Sequence, residues 1–392
     1  MNATDKMKEL AANMEYYGQV LLEGFMFHGG KAAGRIAWIY VVLKNMQSYV
    51  YAQSYFPECE LKNKYRILIE QLWYIIRHGE INKNYFIYGF DRKDKKDKSE
   101  YVPWLDFARA RDRRNKKPKG PQYDFYNYVC MLKDKILFEA YCSRLHIKTS
   151  INHAYIKDRV LYVYEKDEYL PLKSIANFQL DTFLKKNVSY GGGMSTDVMP
   201  LKIQDNKIFI GSREILLNDF ERLIGDDTWV IQKRIENQHE GYRCFHQNSI
   251  NTLRVVSVNA NSKIEIIGAE LRIGINNSYN DNSSSGGLSV GIDIDTGALE
   301  KYAVFMPGRG GTKVASHPNS GVVFEGYILP LWEEVKQAVE RIHTVFYGVY
   351  SIGWDVCVTS EGPIFIEGND NWDCLTLQEY RGAITLYKKF FA

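Results

Sequence analysis

The stretch Ser351 to Asn369 constrains this chain more than any other. Ser351-Ile352-Gly353-Trp354-Asp355-Val356-Cys357-Val358 reads as a buried strand. Thr359 to Pro363 (TSEGP) is a tight turn, and Ile364 to Asn369 (IFIEGN) is a returning strand. A hairpin in this register brings Asp355 beside Glu367 and Asn369. Glu367 and Asn369 stand two apart, so on a continuing strand both face the same side. An acidic residue at a strand end is usually a solvated turn residue. Here the flanking residues are strongly apolar, which puts the carboxylates where a buried strand emerges. Two carboxylates and an amide oxygen form a hard, all-oxygen donor set. Mg²⁺ favours such ligands, commonly with substrate phosphates completing its shell. The hairpin therefore points to nucleoside triphosphate chemistry.

A chain of 392 residues exceeds one small core, so two or three domains or lobes are expected. Its hydrophobic content of 45% and charged content of 25% are those of an ordinary soluble globular protein. A net charge of +3 is too small to argue for a nucleic-acid partner. Cys59, Cys130, Cys142, Cys244, Cys357 and Cys374 are scattered with no paired spacing, which argues against a structural zinc site and for a reducing cytosol. The opening MNATDKMKELAANMEYYG reads as a charged amphipathic helix rather than a secretion signal, and the apolar run Ile36 to Leu43 is too short to span a bilayer. A cytoplasmic location is expected.

Residues 1–123 read as a mainly helical region, with Leu68, Leu72, Ile75 and Ile76 at helical spacing. Residues 92–98 and 109–119 are rich in Lys and Arg. They read as a solvated face or loop, or else as a contact for a membrane surface or a glycan-assembly partner. A second unit, residues 124–392, opens with a helix from Lys133 through Leu145. Short strands follow, among them 160–164, 181–186, 208–210, 229–235, 252–259, 263–274, 288–294 and 299–305. Helices are expected at 216–224 and 331–347. The fold class is α+β, with a boundary between two lobes near 236.

Three further segments could carry chemistry. Phe183 to Met194 delivers Lys185 and Lys186 on a strand and then a run of three glycines, where backbone N–H groups and a lysine can meet phosphate oxygens. It lacks the Walker spacing. Gln232-Lys233-Arg234-Ile235-Glu236 is a strand exit that can act as a hinge, its backbone meeting adenine and its Glu taking ribose hydroxyls. Arg254 and Arg272 alternate with apolar residues on strands, so each guanidinium can face away from the core toward phosphate or a developing oxyanion. Taken singly, each segment also fits an ordinary turn, strand exit or surface arginine.

In order along the chain these pieces resemble the ATP-grasp superfamily: a lysine–glycine turn, a hinge strand, an arginine strand, then Asp…Glu-x-Asn. The resemblance is greatest to the sugar-transfer-associated branch. It is carried by Asn248 to Val256 (NSINTLRVV), Asp281-Asn282 with Ser285-Gly286-Gly287, Asp295-Thr296-Gly297, His317 to Gly321 (HPNSG), Leu329 to Trp332 (LPLW), and Gly353-Trp354-Asp355 through Asn369. It covers roughly residues 80 to 392. It implies an ATP-grasp fold, two α+β lobes clasping the nucleotide. By position it places Lys135 (or Lys133) and Lys185 on phosphate, with Lys186 as the alternative because relatives often carry Pro there. It places Gln232, Lys233 and Ile235 at the adenine hinge, Glu236 on ribose, and Asp355, Glu367 and Asn369 on Mg²⁺. Arg254, alone or with Arg272, would stabilise a tetrahedral oxyanion, and His317 would either orient substrate or serve as a structural residue of its loop. The glycine turn and the Asn276–Gly287 loop would be lids.

The resemblance further implies an ATP- and Mg²⁺-dependent carboxylate–amine ligase acting through an acyl phosphate. Its partners would be a sugar uronate or sugar nucleotide and an amine or amino acid, in capsule or O-antigen polysaccharide biosynthesis. An ATP-dependent phosphotransferase and a nucleotide-gated glycan-assembly scaffold are the alternatives.

Overall fold

The fold is that of a computed structural model, which describes residues 35–36, 38–95, 97–115, 128–188, 197–281, 286–306 and 311–392. The glycine turn 189–196, part of the basic segment (96 and 116–119) and part of the Asn276–Gly287 loop (282–285) lie outside them. The chain divides into two compact units, Met1–Arg109 with Gln378–Tyr387, and Ala110–Leu377 with Lys388–Ala392.

The first unit is built on the helix Lys64–His78. Asn63 caps its start by accepting from the Arg66 N–H at 2.9 Å, and Gly79 ends it in the left-handed region at φ 79°. The buried line is Ile67, Gln71 and Ile75, while Ile76 is exposed. In the run 92–98, Arg92, Lys93 and Lys98 each meet a carboxylate inside this unit. Glu70 accepts from Lys62 (3.0 Å), Lys98 (2.5 Å) and the Tyr85 hydroxyl (2.5 Å). Burial would raise the Glu70 pKa, but these donors outweigh it and hold the carboxyl down to about 2. Arg92 pairs with Asp94 at 2.5 Å, and Lys93 pairs with Glu60. Glu80 is buried and accepts from the Leu105 N–H at 3.0 and 3.1 Å. Burial, which those bonds do not offset, pushes its pKa up to about 8.

The second unit holds two antiparallel sheets. The eight-stranded sheet comprises β1 (Asn152–Lys157), β2 (Val160–Val163), β3 (Glu168–Pro171), β4 (Leu180–Lys186), β5 (Val198–Gln204), β6 (Lys207–Ile210), β7 (Arg213–Ile215) and β8 (Trp229–Lys233), in the order β3-β2-β1-β8-β4-β5-β6-β7. Alternating side chains drive it together. Ala154, Ile156, Leu161, Val163, Leu184, Leu201 and Ile231 line one face and close over Phe220 and Ile224 of the helix Leu217–Ile224. The opposite face carries a register row of Lys185, Val230, Tyr155, Tyr162 and Tyr169.

The seven-stranded sheet comprises β9 (Thr252–Ala260), β10 (Lys263–Ile273), β11 (Leu288–Ile292), β12 (Leu299–Phe305), β13 (Lys313–Val314), β14 (Ser351–Thr359) and β15 (Gly362–Asn369), in the order β13-β12-β11-β10-β9-β14-β15. The helix Trp332–Val345 lays Val335, Val339 and Ile342 against it. Every residue of β14 is buried, so its apolar run is near-continuous rather than alternating. Strand β8 stops at Lys233, short of the 229–235 read from the sequence. No helix among the described residues is long and apolar enough to cross a membrane.

Candidate functional site

β14 and β15 pair antiparallel with Asp355 opposite Glu367 and Gly353 opposite Asn369, and a bulge follows Asp355. The bulge lets Ile366 stand unpaired between Phe365 and Glu367. The Asn369 amide nitrogen lies 3.1 Å from Glu367 Oε1 and 3.4 Å from Asp355 Oδ2. The three oxygen-bearing side chains therefore meet at one end of the sheet.

The hairpin is anchored from below. The Trp354 indole N–H donates to Ser257 Oγ at 2.8 Å, Ser257 Oγ meets His343 Nδ1 at 2.6 Å, and His343 Nε2 meets the Val349 carbonyl at 3.1 Å. Burial pulls the His343 pKa down to about 4, so a neutral ring fills this chain of bonds. Asn115 binds both strand ends. Its Oδ1 accepts from the Ser351 N–H (2.8 Å), and its Nδ2 donates to the Ser351 and Asp370 carbonyls (3.0 and 2.9 Å).

Asp355 also sits opposite Arg254 on β9. Arg254 Nε and Nη2 donate to its two oxygens at 2.5 and 2.9 Å, and both side chains are buried. Arg272 on β10 places Nη1 3.6 Å from Asp355 Oδ1 and donates from Nε to Glu270 at 2.9 Å. Burial would raise the Asp355 pKa, but Arg254 and then Arg272 outweigh it, and the carboxyl stays below the ordinary carboxylate range.

A cavity of about 400 Å³ opens beside this centre, within the size range of ligand sites. The seven-stranded sheet and its loops supply Thr252, Asp281, Asp355 and Glu367 to the lining. The eight-stranded sheet and its exit supply Phe183, Lys185, Arg234, Ile235 and Glu236. Lys185 donates to the Gln232 amide oxygen at 2.7 Å. Burial lowers its pKa to about 8, against the raising pull of Glu367, Asp355 and Asp281. Such an amine gains most from an added anion. Lys186 alternates to the other side of β4 and pairs with Asp227 at 2.9 Å.

The other residues singled out from the sequence do not line this cavity. Gln232 is buried and held between Lys185 and Asn152. Lys233 is exposed at the end of β8. Lys135 starts the helix Lys135–Arg144, which Asp134 caps, and its ammonium lies 3.4 Å from the Asn187 carbonyl. Lys133 pairs with Asp370 at 2.6 Å. Arg254 and Arg272 stand behind Asp355. His317 is fully buried and uses both ring nitrogens on the protein, Nε2 on the Gly274 carbonyl (2.9 Å) and Nδ1 on Ser320 Oγ (3.1 Å). Both bonds fit the structural reading of His317.

Arg234 and Asp281 also line the cavity, and the sequence assigns neither a role of its own. Arg234 packs over the Phe183 ring at 4.4 Å and pairs with Asp181. Asp281 is buried on the cavity wall. The first could have been suspected from its place in the strand exit and the second from its place in a motif that carries the resemblance, although only the fold shows its burial.

For a divalent cation, the donor set fits in kind. It offers two carboxylates and one carboxamide, whose oxygen comes to the site when the Asn369 amide turns over. No cluster of three or more His, Cys, Asp or Glu able to hold a metal exists among the described residues.

Residues 114–388, well over half of the sequence, match the family described as sugar-transfer associated ATP-grasp. The chain belongs to this family. Its fold is accordingly the ATP-grasp fold, an α+β arrangement preceded by a region that includes the helix Lys64–His78. Among solved structures it is similar to the D-alanine–D-alanine ligase of Bacillus anthracis (13% identity, 65% of this chain and 60% of that one, TM-score 0.34). It is also similar to the D-alanyl-alanine synthetase A of Vibrio cholerae (10% identity, 68% and 62%, TM-score 0.36). A third likeness is the L-amino acid ligase of Bacillus licheniformis (8% identity, 62% and 41%, TM-score 0.33). The chain thus spans about three fifths of the length of the first two. No curated protein matches its sequence.

Proposed function

We propose that this protein is an ATP-dependent carboxylate–amine ligase that works through an acyl phosphate. The carboxylate would belong to a uronic-acid-type sugar or sugar nucleotide and the amine to an amino acid or similar compound, in cell-surface polysaccharide biosynthesis. The observation that carries this reading is the cavity itself, where a depressed-pKa lysine on one sheet faces two carboxylates on the other, in a chain of the ATP-grasp family.

In this reading Ile235 and Glu236 hold adenine and ribose at the strand exit, while Gln232 and Lys233 shape that exit. Lys185, supported by Lys135, neutralises the phosphates, and Lys186 stays with Asp227. Asp355, Glu367 and Asn369 would hold Mg²⁺, which when bound supplies charge compensation to the phosphoryl group. A substrate carboxylate oxygen attacks the γ-phosphorus, the bond to ADP breaks, and an acyl phosphate forms. The amine nitrogen then attacks the carbonyl carbon and phosphate leaves. Arg254 is a positioning residue that fixes both oxygens of Asp355. Arg272, less fully engaged, supplies positive charge to the developing oxyanion.

Incubation of the protein with ATP, Mg²⁺ and paired panels of uronates and amino acids tests the reading. ADP and phosphate released in step with a product carrying both partners supports it. A stable phosphorylated metabolite would make the protein a phosphotransferase, and nucleotide binding with no turnover would make it a scaffold.

A further inference from the structure

Asp281 is a buried carboxylate with no place in the scheme above. It is fixed on two sides. Its Oδ2 accepts from the Thr252 N–H at 2.8 Å and from the Thr252 hydroxyl at 2.5 Å. Its backbone is crowded by Gly287, where an added Cβ would come within 2.2 Å of the Asp281 carbonyl oxygen. That glycine is required for close approach of two backbones. Oδ1, by contrast, accepts no hydrogen bond from any described residue, and the side chain lines the same cavity as Lys185, Asp355 and Glu367.

A buried carboxylate held by one oxygen and open at the other toward a ligand cavity is built to meet a proton donor. The ligase reading leaves one proton without a destination. When an amine attacks an acyl phosphate, its nitrogen becomes positively charged and must lose a proton before the amide can form. Resting on that reading, we infer that Asp281 is the group that takes this proton. The nitrogen forms its bond to the carbonyl carbon, its N–H proton passes to Asp281 Oδ1, the C–O bond to phosphate breaks, and Asp281 returns the proton to solvent. The environment suits the role. Burial raises the Asp281 pKa to about 6, against the lowering effect of the Thr252 bonds and of Arg272, with Asp355 adding to the rise. A base with a pKa near the working pH is most effective.

Hydroxylamine separates this role from a merely structural clamp. Its conjugate acid is far more acidic than that of an amino acid, so it is present as the free base at neutral pH and the nitrogen cation formed on attack passes its proton to water with little need of a protein base. The wild-type protein and Asp281→Asn are incubated with ATP, Mg²⁺ and a panel of uronates, with hydroxylamine in one arm and a panel of amino acids in the other. Hydroxamate and amide products are read by mass spectrometry. For Asp281→Asn the expected result is hydroxamate within a few-fold of wild type and amide down by about 10²–10⁴-fold. Its stabilisation by ATP in a thermal shift assay should equal that of wild type.

Thr252→Val removes the hydroxyl donor but keeps the carboxylate, so any loss should fall on the amide, with hydroxamate again within a few-fold of wild type. If Asp281→Asn lowers both products equally, Asp281 is only a clamp. If it lowers neither, it has no part in the reaction. Either result overturns the inference while the ligase reading stands. If wild type forms no hydroxamate with any uronate, the ligase reading fails and the inference with it.

Discussion

Arg254→Met removes the guanidinium that holds Asp355, and the consequence for stability can be worked out. The pair is bidentate at 2.5 and 2.9 Å, with side-chain exposures of 9% and 11%. Deleting one partner of a buried pair costs about 3–5 kcal/mol, because the remaining charge stays buried. Arg272 at 3.6 Å from Asp355 Oδ1 and Asn369 at 3.4 Å from Oδ2 offer partial compensation, which places the loss near the lower end, about 3 kcal/mol. Hydrogen exchange read by mass spectrometry on peptides covering 252–260 and 351–359 should then lose about a hundredfold in protection. The double variant Arg254→Met/Asp355→Leu should recover most of it, since an apolar pair of similar size replaces the ion pair. The pH dependence follows. In the native protein the Asp355 carboxyl lies below its ordinary pKa, so it contributes stability above that ordinary value, lost as pH falls through the depressed one. In Arg254→Met this acid-side decline should vanish. A loss below about 1 kcal/mol, or a double variant no better than the single one, would refute the reasoning.

The remaining predictions are brief. Lys185 titrates near pH 8 without nucleotide, so ATP binding at pH 8.5 should take up protons, visible as a dependence of calorimetric enthalpy on buffer ionisation; Lys185→Met should abolish that dependence. Glu367→Ala should lower turnover at least about 10²-fold while leaving circular dichroism unchanged, and full activity would remove it from the metal-holding set. Glu80, with a native pKa near 8, contributes stability at acid pH that is lost as pH rises through that value, so Glu80→Gln should raise the stability of the first unit at pH 8 and have little effect at pH 4. Exchange protection of the helix Lys64–His78 reads this out.

The hairpin of Asp355, Glu367 and Asn369 was legible because it is local. Strand periodicity and one short turn bring the three together without long-range information. The bulge at Ile366 was not, since nothing in IFIEGN marks it; partner register decides it. The Arg254–Asp355 pair was hidden for a similar reason. Alternation on β9 sets Arg254 on the side opposite Leu253 and Val255, but what it meets depends on β14 pairing with β9 across about a hundred residues. Alternation also accounts for Lys185 and Lys186 facing opposite ways, although the sequence could not say which faces the cavity. Asp281 lies in a polar loop of turn residues, where a buried carboxylate leaves no periodic signal. Its burial arises from Thr252 and Gly287, and these are neighbours only in the fold.

The central claim is that ATP lies in the cavity bounded by Lys185 and by Asp355 with Glu367. A crystal structure with Mg²⁺ and a non-hydrolysable ATP analogue measures this directly. The account predicts the triphosphate between the Lys185 ammonium and the Glu367 carboxylate, with adenine against Ile235 and ribose at Glu236. Nucleotide bound elsewhere, or in this cavity with its phosphates remote from Lys185 and Glu367, would contradict it.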